Sequence, residues 1–298
     1  MDFNVGLYSE KINISTDAEL SRYSYLRCGG RADILAFPKS ADEVCELVRE
    51  ARRTDTPITV LGGTTNTLIS DSGIRGLVIS TAHLKGITMM GSLVIAAAGE
   101  RMDNVINKSI EHNLRGLEKL GGMPGTVGGA IHGNAGANGL SAGDRCFYID
   151  YIDRDGKPRR SPNYCDSFQY RKGPLTDEVI IVHAAFRLTP SLNTVSVRLE
   201  KEHYQRERIE KGHFIYPSLG CFFKNPEGES AGRIIDELGF KGRRVGGAKV
   251  SAFNANVLVN TGNATSLDFY RLSREIREEV REKRGIELEY EVRLMGEF

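Results

Sequence analysis

The segment Leu120–Gly139, LGGMPGTVGGAIHGNAGANG, constrains this chain more than any other. Eight of its twenty residues are glycine, and almost nothing in it is bulky or charged. Glycine lets the main chain enter left-handed conformations and lets another molecule lie directly on the backbone. The run reads as too irregular for a helix and too poor in side chains for a core strand. It is also too short and too apolar for a flexible linker. Two readings remain: a backbone cradle for a large, flat, phosphate-bearing ligand, which we favour, or a set of tight turns between strands. Composition alone leaves both open.

The chain has 298 residues, enough for two or three modest domains with real cores. Hydrophobic residues make up 40% and charged ones 27%, as in soluble globular proteins. A net charge of +1, with acidic and basic residues interleaved in RLEKEHYQRERIEKG and LSREIREEVREKRG, gives no electrostatic footprint for nucleic acid. No apolar run approaches the ~18 residues of a membrane span. The opening MDFNVGLYSEKINIS lacks the pattern of a signal peptide. Cys28, Cys45, Cys146, Cys165 and Cys221 form no CxxC pair, so reduced thiols in a cytoplasm are expected, with no metal site or disulfide framework.

In chain order, residues 1–20 read as an exposed lead-in, and Ala32–Phe37 as a strand closed by Pro38. Ser40 and Glu43 form a capping box for a helix burying Val44, Leu47, Val48 and Ala51. Strands are expected at Pro57–Leu61, Gly76–Ser80, Leu93–Ala98, Phe147–Asp153 and Glu178–Leu188, with a helix at Asp103–His112. A second glycine-and-hydroxyl loop, Gly62-Gly63-Thr64-Thr65-Asn66, follows directly on the strand Pro57–Leu61. Composition shifts near Thr189-Pro190, where we place the domain boundary. Beyond it come helices at Val195–Lys211 and Ser230–Leu238, a strand at Asn256–Asn260, a long helix opened by Thr265 and ended by Gly285, and a final alternating strand at Glu287–Met295. Periodicity and spacing end at a two-domain nucleotide-binding protein.

Five ordered blocks carry a resemblance. GLEKLGGMPGTVGGAIHGNAGANG, then Tyr170-Arg171, PSLGCFFKNP, VSAFNANVLVN and LEYEVRLMG resemble the UDP-N-acetylenolpyruvoylglucosamine reductases, the MurB family of bacterial cell-wall synthesis. The likeness runs from about Tyr25 to Gly296 and looks like the shorter type of that family. It implies an α+β fold: an FAD-binding domain of the p-cresol methylhydroxylase type over residues 1–190, with subdomains of about 1–80 and 81–190. A smaller α+β substrate-binding domain would span 191–298, its last strand returning to the active site. It implies an oxidoreductase and flavoprotein using FAD and NADPH. The substrate is a UDP-sugar, UDP-N-acetyl-3-O-(1-carboxyvinyl)-glucosamine, reduced to UDP-N-acetylmuramate for peptidoglycan, and hence for cell shape and division.

The same resemblance distributes roles. Gly62, Gly63, Thr64, Thr65 and Asn66 match a first FAD loop, whose amides can neutralise a diphosphate without lysine. Gly122, Gly125, Thr126, Gly128, Gly129, Asn134, Ala135 and Gly136 match the part of the cradle along the ribityl chain and ring. Thr64 stands where the family usually has glycine, so altered loop geometry is expected, and Asn138 stands where tyrosine is frequent. Arg171 matches the arginine that stabilises the enolate-like carboxylate, a task suited to a bidentate guanidinium. Cys221 occupies the proton donor's place, where the family has serine; a thiol with an ordinary pKa near ~8.5 stays protonated at neutral pH. Glu291 matches the assisting C-terminal glutamate. Tyr170, Lys224 and Asn225 are expected at the substrate, and Asn254, where the family commonly has histidine, receives no role.

Two alternatives stay in view. One is an FAD-linked alcohol or sugar oxidase of the same superfamily, with His132 as a point of flavin attachment. The other is a non-catalytic nucleotide-binding protein, to which the cysteine at position 221 points. The sequence is silent on oligomeric state.

Overall fold

The computed structural model describes residues 3–162 and 167–298, so Cys165 lies outside the described residues. The chain gathers into two compact units. One comprises Met1–Thr16, Asp33–Gly63 and Gly76–Glu207; the other comprises Asp17–Ala32, Thr64–Arg75 and Arg208–Phe298. The helices, in chain order, are α1 (Val5–Tyr8), α2 (Ala41–Arg53), α3 (Met102–Glu111), α4 (Val127–His132), α5 (Thr194–Glu210), α6 (Ala231–Glu237) and α7 (Ser266–Arg284). The division follows compactness rather than the composition shift at Pro190: α5 stays with the first unit as far as Glu207.

In the first unit, α2 starts where the sequence demands. Ser40 accepts the Glu43 N–H at 3.2 Å, and the Glu43 carboxylate takes the Lys39 N–H at 2.7 Å, one residue before the cap. Val44, Leu47, Val48 and Ala51 are buried, as the periodicity requires, with Ile34, Ala36, Leu77 and Ile79 in the same core. Strands Ile58–Leu61 and Ile74–Ser80 pair in parallel, Ile58 opposite Leu77. A five-stranded antiparallel sheet runs in the order Pro158–Pro162, Cys146–Ile152, Ile180–Arg187, Leu93–Ala97, Ile87–Met90. The strand Leu93–Ala97 and the residue after it are rich in small residues. Ala96, Ala97 and Ala98 let α4 approach so closely that a Cβ on Gly128 would lie 3.0 Å from that of Ala98.

Two expectations are corrected here. Residues 1–20 are not a bare lead-in: they include α1 and a strand at Asn13–Glu19, and the apolar side chains of Phe3 and Ile12 join the core. The glycine run, read as too irregular for a helix, contains α4. Glycine costs a helix about 1 kcal/mol per residue relative to alanine. Here the packing on Ala98, sealed by Gly128 N–H to Ala98 C=O at 2.8 Å, outweighs that penalty.

The second unit has a four-stranded antiparallel sheet in the order Ser218–Cys221, Val257–Asn260, Ala248–Val250, Arg244–Val245. Helices α6 and α7 cover it with Ile234, Ile235, Phe269, Leu272, Ile276 and Val280. Thr265 and Asp268 close a full capping box on α7, and Gly285 ends it at φ 67°. The final strand is shorter than expected, Arg293–Met295, paired in parallel with Thr67–Ile69. Upstream, the Leu288 carbonyl is taken by Arg277 Nε of α7 at 2.9 Å, and a single bridge joins Tyr290 to Phe223. Leu288 and Val292 still face inward.

Candidate active site

In the first unit, the two glycine-rich stretches meet backbone to backbone. Gly63 donates its N–H to Thr126 Oγ1 at 3.3 Å. A Cβ on Gly63 would lie 3.2 Å from Gly125 Cα, and one on Gly62 would lie 3.0 Å from Thr126 Oγ1. Thr126 is the N-cap of α4, yet its hydroxyl serves Gly63 rather than its own helix. The N–H groups of Gly125 and Thr126 have no acceptor among the described residues. Those of Val127 and Gly128 go to the Glu100 and Ala98 carbonyls, and that of Gly122 goes to Asp103.

The far end of the cradle carries Arg171. Gln169 and Lys172 exchange both main-chain hydrogen bonds, at 2.9 and 3.1 Å, so Tyr170 and Arg171 form the tip of a two-residue hairpin. Arg171 sits at φ 58°. Asn134 pins this hairpin: its Nδ2 donates to Gln169 O at 2.9 Å while its Oδ1 accepts the Gly143 N–H at 3.0 Å. The Asn134 amide expected at the cofactor thus bonds to the chain at both ends. Arg171 Nη1 donates to the Gly136 carbonyl at 3.1 Å. Cradle and arginine are therefore one construction, although nothing local in Tyr170-Arg171 announces it. His132 Nε2 lies 2.8 Å from Asp177 Oδ1. Ala135 and Gly136 lie just beyond α4, after Gly133 and Asn134, and Gly136-Ala137 pairs with Leu140-Ser141.

In the second unit, Thr64 sits at φ 53°, and its hydroxyl is tied to the Tyr23–Tyr25 turn. The loop thus keeps a conformation that glycine favours. The N–H groups of Thr64, Thr65 and Asn66 have no acceptor among the described residues. Asn66 bridges two stretches: its Nδ2 donates to Glu291 O at 2.9 Å, and its carbonyl accepts the Arg293 N–H at 3.0 Å.

In this unit Glu291 is tied by its main chain to Phe222, the residue after Cys221. Cys221 is half-buried at the end of its strand, after Gly220 at φ 74°, where the register shifts between Ser218 and Cys221. Glu291 N–H donates to Phe222 O at 2.9 Å, and Lys224 N–H to Glu289 O at 2.9 Å. Lys224 Nζ pairs with Glu289 at 3.0 Å on an exposed face, and Asn225 Oδ1 accepts the Ala231 N–H at the start of α6.

Asn256 is the residue the sequence reading missed. It is 2% exposed, its Oδ1 accepts the Phe223 N–H, and its Nδ2 donates to the Phe223 carbonyl. The available signal was an asparagine opening the apolar run Asn256–Asn260. Burial pushes the Cys28 thiol up to about 11 and the Cys146 thiol up to about 12, which leaves both inert at neutral pH.

An FAD diphosphate requires N–H donors lacking internal partners, and the flat ring requires backbone bare of side chains. Within the first unit, the Gly125 and Thr126 N–H groups are such donors and the glycines at 125, 128 and 129 leave the backbone bare, so the residues present there fit the group.

Comparison with known proteins agrees. Residues 32–161 match the FAD binding domain family, and residues 211–295 match the UDP-N-acetylenolpyruvoylglucosamine reductase C-terminal domain. A UDP-N-acetylenolpyruvoylglucosamine reductase of Geobacter metallireducens is 41% identical over 95% of this chain and 94% of its own. That of Caldanaerobacter subterraneus is 37% identical over 93% and 92%. The crystal structure of the Thermus caldophilus enzyme matches with a TM-score of 0.81 at 30% identity, over 96% of this chain and 99% of that one. A glucose oxidase variant of Phl p 4 shares the fold alone, with a TM-score of 0.54 at 16% identity over 64% of this chain and 44% of that one. This chain belongs to the UDP-N-acetylenolpyruvoylglucosamine reductase family, FAD-binding oxidoreductases of the p-cresol methylhydroxylase-type fold.

Proposed function

We propose that the chain uses NADPH to reduce the enolpyruvyl ether of UDP-N-acetylglucosamine to the D-lactyl ether, giving UDP-N-acetylmuramate in the cytoplasm. FAD, when bound, supplies the hydride-transfer chemistry. Residues 1–190 carry the cofactor loops together with the Tyr170-Arg171 hairpin, and residues 191–298 supply Cys221, Lys224, Asn225 and Glu291 to the substrate.

The observation that carries this reading is the bond from Arg171 Nη1 to Gly136 O, which ties a cation to the cofactor cradle. A guanidinium so anchored is aimed in advance. It can meet the substrate carboxylate, where negative charge grows as the double bond is reduced, without reorganising. Cys221 holds the proton that the adjacent carbon takes. Glu291, one residue beyond Tyr290 and tied to Phe222, assists that donor. Tyr170 and Lys224 contact the nucleotide sugar from exposed positions, and Asn225 shapes the loop that presents Lys224.

The test is direct. The purified protein should be yellow and should oxidise NADPH only when the enolpyruvyl nucleotide is present, and Arg171→Ala should abolish turnover while leaving flavin bound. A colourless preparation that takes up no FAD contradicts the reading.

A further inference from the structure

Thr64 is a β-branched residue in the left-handed region, at φ 53°. That conformation presses Cβ toward the following carbonyl, and a β-branched residue occupies it only when its surroundings insist. Here they do. Thr64 is 6% exposed, and its hydroxyl accepts the Tyr25 N–H at 2.8 Å and donates to the Tyr23 carbonyl at 3.1 Å. Donor and acceptor are both engaged, and with opposite ends of one turn. On the other side of the loop, Asn66 is held through its side chain and its carbonyl by Glu291 and Arg293. Between these two anchors lie the three amides, of Thr64, Thr65 and Asn66, that donate to nothing among the described residues. A strained residue at a ligand loop, with its strain maintained by specific bonds, is the signature of pre-organisation.

We propose that the Thr64 hydroxyl is a positioning latch: it holds the Thr64–Asn66 turn in its anion-binding shape before the FAD diphosphate arrives. The inference rests on the cofactor reading of this loop. The latch itself touches no ligand; it acts through the three amides it orients. The threonine thus replaces a conformation that glycine would reach freely but would not hold.

Three variants test it: Thr64→Val keeps the shape of the side chain without the hydroxyl, Thr64→Ser keeps the hydroxyl without the methyl, and Thr64→Gly removes both strain and latch. Each is stripped of flavin and titrated with FAD, following the quenching of flavin fluorescence for the dissociation constant and the association rate. Thermal unfolding of the same flavin-free samples checks that they are folded. Thr64→Val should bind FAD about tenfold more weakly, chiefly through slower association, and Thr64→Ser should stay within about twofold of the parent. Thr64→Gly should also bind more weakly, although its strain is gone. FAD binding by Thr64→Val or Thr64→Gly equal to the parent overturns the latch, as does an equal loss in Thr64→Ser. If Thr64→Val does not fold, the serine and glycine variants decide. Failure of the parent itself to take FAD overturns the cofactor reading instead, which separates the two claims.

Discussion

The Asn256 side-chain amide closes on both main-chain polar groups of Phe223, taking its N–H at 2.9 Å and giving to its carbonyl at 2.8 Å. Phe223 lies two residues from Cys221, and its neighbour Phe222 receives the Glu291 N–H. Removing the amide strands two buried backbone groups, each worth roughly 1–3 kcal/mol. Asn256→Ala should therefore lower unfolding stability by about 2–4 kcal/mol in urea titrations. On the roles proposed for Cys221 and Glu291, turnover should fall more than KM rises, because Asn256 holds Phe223, whose neighbour Phe222 takes the Glu291 N–H.

A buried cation seats the start of the cradle. Lys201 of α5 is 7% exposed; its Nζ lies 3.0 Å from Asp103 Oδ1, and that same oxygen accepts the Gly122 N–H at 3.1 Å. Lys201→Met leaves the carboxylate without its cation and should cost about 2–4 kcal/mol. Adding Asp103→Asn to it should restore part of that loss, since the pair then disappears together. Additive losses in a double-mutant cycle of urea midpoints would show that the two residues do not act as a pair.

The cysteines predict a pH dependence. Desolvation raises the thiols of Cys28, Cys45 and Cys146 above the usual thiol range, the first to about 11 and the last to about 12. A buried neutral thiol with a raised pKa adds stability that is complete below its unfolded value and is lost as pH climbs toward the folded one. Unfolding midpoints should thus fall between about pH 9 and pH 11, and Cys28→Ser with Cys146→Ser should flatten that slope. At pH 8, iodoacetamide followed by peptide mapping should find Cys221, the half-buried one, modified first among the four described cysteines.

Local chemistry was legible and long-range chemistry was not. Ser40 with Glu43, and Thr265 with Asp268, fixed the starts of α2 and α7 because a cap needs only residues three apart. The strand Pro158–Pro162, PRRSP, has no apolar alternation; it exists because the turn at Asp155-Gly156 folds it onto Cys146–Ile152. The glycine count correctly signalled close approach at the cradle. It could not tell approach by a ligand from approach by the chain, and Gly62, Gly63 and Gly128 owe their identity at least in part to Thr126, Gly125 and Ala98. Arg171 was reachable only through resemblance, since its bond to Gly136 joins residues 35 apart.

The bond between Arg171 and Gly136 predicts a split between binding and chemistry. Arg171→Lys keeps the charge but loses the planar fork. Turnover should drop about 100-fold or more, in line with loss of a charge-stabilising donor, while the flavin dissociation constant changes little. An equal loss in flavin binding, read by fluorescence titration, would assign Arg171 to the cofactor rather than to the reaction.

The reading proposed above depends on this chain reducing an enolpyruvyl nucleotide. The most direct measurement is NADPH consumption by the purified FAD-loaded protein, with and without UDP-N-acetyl-3-O-(1-carboxyvinyl)-glucosamine, with the product identified by mass. Oxidation should depend strictly on that nucleotide, and the product should be heavier by two hydrogens. NADPH consumption at the same rate without the nucleotide, or none with it, would contradict the account.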